Sequence, residues 1–417
     1  MKNGFKECER CLIVNNNLPS IRFDKFKSNW SIRQIGELLI DVSRPIKMDD
    51  DQFYQLVTVK RRNAGIVSRG YFKGKDVLVK SQFVVKTGDY LISKRQIVHG
   101  ANGIVPEHLS NSIVSNEYLV LHGTNELSVE YLSIISKLPI MYKMFYLSSY
   151  GVDIEKLVFN VSDWKKRELI IPSIEEQNEI TLFFNELDRY IALHQQELDA
   201  LKQTKQGFLQ KMFPRNGNKV PEIRFTDFKS EWKDTTLNNI TNIIGGGTPD
   251  TKEPTFWDGE IDWYSPTEIG KTIYANGSVR KITQLGLEKS SAKILPANKT
   301  ILFTSRAGIG DTAILKKNGA TNQGFQSLVV QDNCDVYFLY SMSKEIKKYA
   351  LKNAAGSTFL EISGKNLGKM PLLIPSFEEQ SKIGEFFRQL DEVIGLKEQE
   401  LEALKQTKKG FLQKMFV

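Results

Sequence analysis

Two long stretches of this chain repeat an apolar side chain at alternating intervals of four and three residues. The first reads Ile180, Phe184, Leu187, Ile191, His194, Leu198, Leu201, Lys205, Phe208 and Met212. The second reads Ile383, Phe387, Leu390, Ile394, Lys397, Leu401, Leu404, Lys408, Phe411 and Met415. A 3.5-residue spacing held this long predicts a left-handed coiled coil rather than a simple surface helix. Both helices begin alike: Pro172 and Pro375 precede them, Ser173 and Ser376 are the N-cap candidates, and Glu176 and Glu379 follow at capping-box spacing. Acidic residues fill the first turns and lysines the last, as the helix dipole favours. The partner expected for each seam is the other seam, antiparallel, with one globular domain at each end. The competing arrangement packs each helix on its own domain alone. Full overlap would bring His194 to Lys397, a polar layer that fixes register at some expense of stability.

The helices belong to a larger repetition. Leu18-Pro-Ser-Ile-Arg-Phe-Asp-Lys-Phe-Lys-Ser-Asn-Trp30 returns as Val220-Pro-Glu-Ile-Arg-Phe-Thr-Asp-Phe-Lys-Ser-Glu-Trp232. Pro172-Ser-Ile-Glu-Glu-Gln177 returns as Pro375-Ser-Phe-Glu-Glu-Gln380, and the helix end Ala200–Phe213 as Ala403–Phe416. A period of roughly 200 residues is far too long for a solenoid, so each copy is a domain followed by a helix. Residues 31–171 and 233–374 share only fragments, such as Tyr90–Arg95 with Ile301–Arg306. Two diverged heads on two near-identical mounts explain this unevenness; plain duplication with drift does not spare the helices selectively.

Within the heads the pattern is mixed. Residues 53–59 alternate as a strand does, Val77–Val85 and Ile294–Phe303 are β-rich, and apolar residues return at helical spacing over Val129–Ser148 and Val336–Asn353. The predicted class is α+β: two tandem mixed α/β domains, each followed by a long helix, the helices forming an antiparallel coiled-coil spacer. The expected limits are an extension at 1–17, a first domain at 18–171, its helix at 172–213, a linker at 214–220, a second domain at 221–374 and its helix at 375–417.

Composition narrows the classes. The 417 residues, 41% of them hydrophobic, suit a soluble protein of two or more domains. No apolar run approaches the ~20 residues of a membrane helix, and residues 1–17 lack a signal-peptide core, so no membrane association is expected and the cytoplasm is the expected compartment. A net charge of +8 favours a polyanionic partner, although the charge is spread along the chain. The three cysteines form no disulfide framework. Cys8 and Cys11 form a C-x2-C pair with no second pair, which reads as two free thiols rather than zinc ligands. No cofactor or metal is expected.

With duplex DNA as the polyanion, candidate contacts emerge in both heads. Lys60, Arg61, Arg62 and Asn63, then Arg69 and Lys73 with Tyr71 and Phe72 between, and Lys94, Arg95 and His99 after a strand, supply the first head. Arginine grips guanine with two hydrogen bonds, asparagine and glutamine do so for adenine, and lysine neutralises phosphate. The competing reading is a solvated charged hairpin. In the second head Gly245-Gly-Gly-Thr-Pro249 offers a flexible loop, with Thr248, for close backbone approach to phosphates. Trp257, Tyr264, Lys271, Arg280, Lys281, Ser305, Arg306, Asn322, Gln323 and Gln326 follow, the aromatic residues being more readily core than base-stacking. A rod of about 39 helical residues spans roughly 58 Å at 1.5 Å per residue, enough to hold two readers about a turn of DNA apart.

Catalytic motifs are near-misses. Ser265–Thr272 resembles a phosphate-binding loop but has serine for its first glycine and a proline and a glutamate inside it. Asp250 and Lys252 hint at a nuclease without its separated second carboxylate. Asp258, Glu260 and Asp262 alternate along one stretch but lack the glycine placement of a calcium loop. No Asn/Asp-Pro-Pro-Tyr and no Gly-x-Ser-x-Gly motif occurs. The reading is a chain with no catalytic centre.

The doubled Pro-x-Ile-Arg-Phe lead-in, the Ile-Pro-Ser-x-Glu-Glu-Gln boundary and the Ala-Leu-Lys-Gln-Thr-Lys-x-Gly-Phe-Leu-Gln-Lys-Met-Phe helix end resemble the specificity subunit of type I restriction–modification systems. Gly100–Pro106, Ile113–Tyr118 and Gly356–Ser363 add weaker matches, and residues 1–17 match nothing. The resemblance implies that each variable domain reads one half of an asymmetric bipartite target in double-stranded DNA. It further implies that two methylation subunits and the restriction subunits bind this scaffold, the former expected at the lysine-rich helix ends Lys202–Lys211 and Lys405–Lys414. The alternatives are a freestanding DNA-binding adaptor and a metal-dependent nuclease acting through the Asp250 region.

Overall fold

A computed structural model describes residues 18–215, 217–306, 308–356 and 360–417. The 1–17 extension with Cys8 and Cys11 lies outside the described residues, as do Asn216 of the linker, Ala307, and residues 357–359 of the Gly356–Ser363 fragment. The chain forms two compact units. One runs to Leu193 and takes in Leu401–Val417; the other is His194–Glu400. The helices Ile174–Lys211 and Phe377–Lys414 therefore each contribute residues to both units.

In the first unit, strand Ser31–Gln34 pairs antiparallel with Glu168–Ile171, so the head closes on itself immediately before its long helix. Between them lies a four-stranded sheet in the order Leu39–Asp41, Tyr118–Gly123, Tyr90–Ser93, Asn102–Ile104. A five-stranded sheet follows the order Pro45–Ile46, Gln82–Val84, Ile113–Ser115, Phe53–Val59, Ile66–Lys73. The strand expected over 53–59 is present. Of Val77–Val85 only Gln82–Val84 is extended, because a 3-10 turn at Gly74–Asp76 leads into a segment whose Leu78 is 95% exposed. The helical stretch 129–148 forms as two helices, Val129–Ile135 and Pro139–Leu147, since Pro139 has no N–H to continue the ladder.

The second unit repeats the closure with Lys233–Thr236 against Pro371–Ile374. Its five-stranded sheet runs Thr241–Gly245, Gln326–Val330, Thr300–Phe303, Thr312–Leu315, Tyr274–Ala275. A three-stranded sheet runs Arg280–Ile282, Trp257–Tyr264, Gly319–Thr321. Helices Val336–Ser341 and Ser343–Asn353 replace the single helix expected over 336–353.

Each unit packs its two helix segments against each other, antiparallel, through the same contacts. In the first, Phe183 meets Phe411 edge-on at 4.9 Å between ring centroids, Phe184 meets Phe416, and Lys408 bridges to Asp188. In the second, Phe386 meets Phe208 at 5.0 Å, Phe387 meets Phe213, and Lys205 bridges to Asp391. Every seam position is buried or half-buried: Ile180, Phe184, Leu187, Ile191, His194, Leu198 and Leu201 on one helix, Ile383, Phe387, Leu390, Ile394, Lys397, Leu401 and Leu404 on the other. His194 and Lys397 share acceptors. His194 Nδ1 lies 3.6 Å from Glu197 and 3.7 Å from Glu400, and Lys397 Nζ lies 3.4 Å and 3.0 Å from the same two carboxylates. The polar layer is thus a histidine and a lysine bracketed by two acids.

The lead-in motif earns its repetition here. Arg22 forks onto Glu176 with two 2.7 Å bonds and also donates to Ser28 O. Arg224 does the same to Glu379 and Ser230 O. Ser173 and Ser376 cap their helices through the amides of Glu176 and Glu379. The glutamate side chains, however, do not turn back as a capping box would, because the charge-assisted bidentate arginine is the stronger partner. Gln177 and Gln380, almost wholly buried, tie the helix starts to the heads through Glu126 O and Asn333 O.

Candidate nucleic-acid interface

In the first unit the basic run sits at the tip of a hairpin. Phe53–Val59 pairs with Ile66–Lys73 from Phe53↔Lys73 to Val59↔Ile66. The hairpin closes with Lys60 N–H donating to Gly65 O and Ala64 N–H to Arg61 O, around Arg62 and Asn63 at φ +60° and +54°. Positive φ at both central residues is a type I′ turn, whose twist matches the flanking strands. Arg61 bonds one oxygen of Glu155 at 2.7 Å, and His99 Nε2 lies 3.5 Å from the other. Segments 61–63, 97–100 and 136–155 thereby surround an open cavity of about 440 Å³, with Lys137, Tyr142 and Glu155 among its lining. Sequence reasoning missed those three, which only the fold brings to the turn. Burial and the nearby Lys408 hold the Lys137 ammonium below its usual pKa, against the opposing pull of Asp188.

Other predicted residues of this head stand apart. Arg69 is the extra residue of a bulge, since Leu56 faces Gly70 while Val57 faces Ser68. Lys73 lies at the opposite end of the hairpin from the turn, near Phe53 and 4.0 Å from Asp51. Arg95 pairs with Glu117 at 2.7 Å, and Lys94 donates to Asn116 O. The basic residues of 60–73 are therefore divided between the turn and the second strand of the hairpin, not gathered in one loop.

In the second unit Thr248 donates to Gln323, Asn322 Oδ1 accepts from Gly324 N–H, and Arg306 lies beside Gly324. These four residues share one edge. Gln326 lies against Gly364. The glycine triplet corrects expectation: a Cβ on Gly246 would stand 2.0 Å from Asn322 O and one on Gly247 2.3 Å from Ala292 N. The glycines permit tight backbone packing, and Gly247 O accepts from the Trp263 indole. Three further candidates are core. Trp257 is 7% exposed, Tyr264 1% and Ser305 0%, so none presents a face to a ligand. Arg280 covers the Trp257 ring at 3.6 Å from its centroid, and Lys281 lies 3.9 Å from the buried Asp262. Lys271 is exposed, following a turn at Pro266–Glu268.

The near-miss motifs resolve locally. Glu268 accepts from Ser265 N–H and Oγ and from Val279 N–H, filling the space a phosphate would need. Asp258 has φ +58° in an irregular stretch of its strand, and Asp262 is buried under Ser278, so the three acids present no common face. Among the described residues no three His, Cys, Asp or Glu side chains stand close enough to hold a metal ion, and no helix is long and apolar enough to cross a membrane.

Comparison with known proteins agrees with this architecture. The MjaIX specificity subunit of a type I restriction enzyme from Methanocaldococcus jannaschii is 33% identical over 203 residues, which is 47% of either chain, so the match spans about half of that relative. The putative MjaX specificity subunit of the same organism is 21% identical over 95% of both chains. The crystal structure of a type I restriction–modification S subunit from M. genitalium superposes with a TM-score of 0.57 at 16% identity, covering 96% of this chain and 99% of that one, and shares its fold. The family profile described as the type I restriction modification DNA specificity domain matches residues 27–203 and again 229–406. This chain, which carries that domain twice, belongs to the family of type I restriction–modification specificity subunits.

Proposed function

We propose that the chain is the non-catalytic, sequence-specific DNA-binding subunit of a type I restriction–modification enzyme, each unit reading one half of an asymmetric bipartite target. The observation that carries this reading is the contrast between repeated mounts and unlike heads. The Arg22–Glu176 and Arg224–Glu379 clamps are the same bond in two places, whereas the exposed polar edges differ. One head offers an arginine–asparagine turn, the other a threonine–amide–arginine edge. Different donor and acceptor sets suit different half-sites. The paired helices are read as the spacer that leaves an unread gap between them.

Two methylation subunits are the partners we assign to the helices, with restriction subunits joining that assembly. Several lysines of the helix ends are already engaged within the chain, Lys202 with Glu398, Lys211 with Glu222, and Lys205 and Lys408 with aspartates. The outward helix faces carry better candidates. Tyr190 and Leu193 are 48% and 49% exposed in the first unit, and their repeat equivalents Val393 and Leu396 are 44% and 66% exposed in the second. An apolar pair repeated at equivalent positions of both helices suits one methylation subunit per helix. The deciding experiment is methylome sequencing of the host with and without this chain, together with co-purification of a methylation subunit. Loss of one bipartite methylation pattern is expected. An unchanged methylome with DNA binding retained would leave the freestanding adaptor as the better reading.

A further inference from the structure

The turn at the tip of the first unit's hairpin is built in an uncommon way. Type I′ turns favour asparagine and glycine at their centre because both residues take positive φ. Here the first central position is Arg62, a long side chain in a conformation that disfavours a Cβ. The neighbouring segment holds it there: Arg62 N–H donates to His99 O at 2.7 Å and Asn63 N–H to Gly100 O at 2.8 Å. Gly100, itself at φ +73°, suits this approach, since a Cβ would stand 3.1 Å from Asn63 Nδ2 and 3.2 Å from its backbone nitrogen. The Asn63 side chain is fixed in turn. Its oxygen accepts from Asn102 Nδ2 at 3.2 Å, and Asn102 Oδ1 accepts from the buried Tyr90 hydroxyl at 2.7 Å. A chain of bonds therefore runs from the core to the turn. Arg61 is spoken for by Glu155. Arg62 is exposed, and among the described residues its guanidinium has no ion pair.

Backbone strain that the surroundings enforce concentrates at functional positions. Neutralising phosphate does not require it, because exposed Lys60 on the same turn supplies charge without a fixed backbone. Reading a base edge does require it, since a bidentate fork must arrive at a set distance and angle. Resting on the DNA-reading role above, we infer that Arg62 is a base-reading side chain of the first unit and recognises a guanine through its O6 and N7. Lys60 neutralises the adjoining phosphate, and Asn63 is a positioning residue that keeps the turn rigid.

The test uses the full chain assembled with its methylation subunit, and duplexes carrying the sequence that methylome sequencing identifies. Arg62→Gly removes the fork while easing the turn, so the thermal midpoint should hold or rise. Binding to the cognate duplex should fall about 5- to 150-fold, with discrimination lost at one guanine of one half-site and kept elsewhere. Arg62→Lys, which keeps the charge without the fork, should bind noncognate DNA normally yet lose the same discrimination. Two results would overturn the inference: Arg62→Lys retaining full discrimination, or Arg62→Gly weakening every duplex equally with a salt slope shallower by about one ion, the signature of a phosphate contact. An unaltered assembly that does not prefer the identified duplex over a scrambled one would overturn the DNA-reading role itself.

Discussion

Arg22 and Glu176 show how a single pair fixes a head to its helix. The carboxylate is 1% exposed and the guanidinium side chain 14%, so neither is well solvated, and each compensates the other's charge. Removing one partner of such a pair strands a buried charge, typically at about 3–5 kcal/mol. Arg22→Ala should destabilise the first unit by that order, read as a lower denaturation midpoint. Arg224→Ala should do the same in the second. Asp89, fully buried, makes a pH-dependent contribution. Burial alone would raise its pKa, but bonds from Arg44, the Lys86 amide and His122 outweigh burial and hold the carboxyl below its ordinary value. A depressed folded-state pKa stabilises above the ordinary carboxylate range and is lost as pH falls through the depressed value. The stability gap between the native chain and Asp89→Asn should therefore be full at neutral pH and shrink on acidification. A gap independent of pH would contradict it.

At the scale of elements, the two helix starts are alike but not interchangeable. Lys25 bonds Glu179 at 2.7 Å in the first unit; at the equivalent positions of the second, Asp227 bonds Lys382 at 2.8 Å with the charges reversed. The reversal preserves each lead-in on its own helix and sets like charges together in the exchanged pairing. Both pairs are exposed, and the Lys25–Glu179 pair contributes at most about 1 kcal/mol. In a double-mutant cycle Lys25→Asp should cost up to that amount, and adding Glu179→Lys should recover it. Additive losses would show that the pair does not interact. The seam is governed differently. Its apolar positions lie on one face of each helix, and its lysines are paired: Lys205 and Lys408 with aspartates, Lys397 with two glutamates that flank His194.

For the molecule as a whole, the head–mount division makes the heads exchangeable. Strand Ser31–Gln34 pairs with Glu168–Ile171, so both ends of the first head leave it side by side at the helix start. Replacing residues 31–171 with the corresponding segment of a relative, while keeping the Arg22–Glu176 clamp, should alter one half of the methylated target and leave the other unchanged. Methylome sequencing reads the outcome directly. A change in both halves would mean that the heads do not read independently.

The repetition, the two helices and their seam were legible in the sequence because each is a periodic or local property. A 4-3 alternation constrains a helix whatever surrounds it, and near-identical motifs in two places imply the same contacts twice. Residues of the DNA-facing candidates were less legible. The basic run at 60–63 could be picked out by composition, but its conversion into a strained turn came from backbone bonds to residues 99 and 100. Lys137, Tyr142 and Glu155 carry no local signal and reach that turn only through the fold. Trp257, Tyr264 and Ser305 have the right chemistry in sequence and the wrong burial in space. The sequence by itself determined the doubled plan, the helical mounts and the family, since these rest on spacing and repetition along one dimension. The tertiary structure alone decided which polar side chains face outward and which are spent on their neighbours, because exposure and partnering arise from contacts between segments distant along the chain.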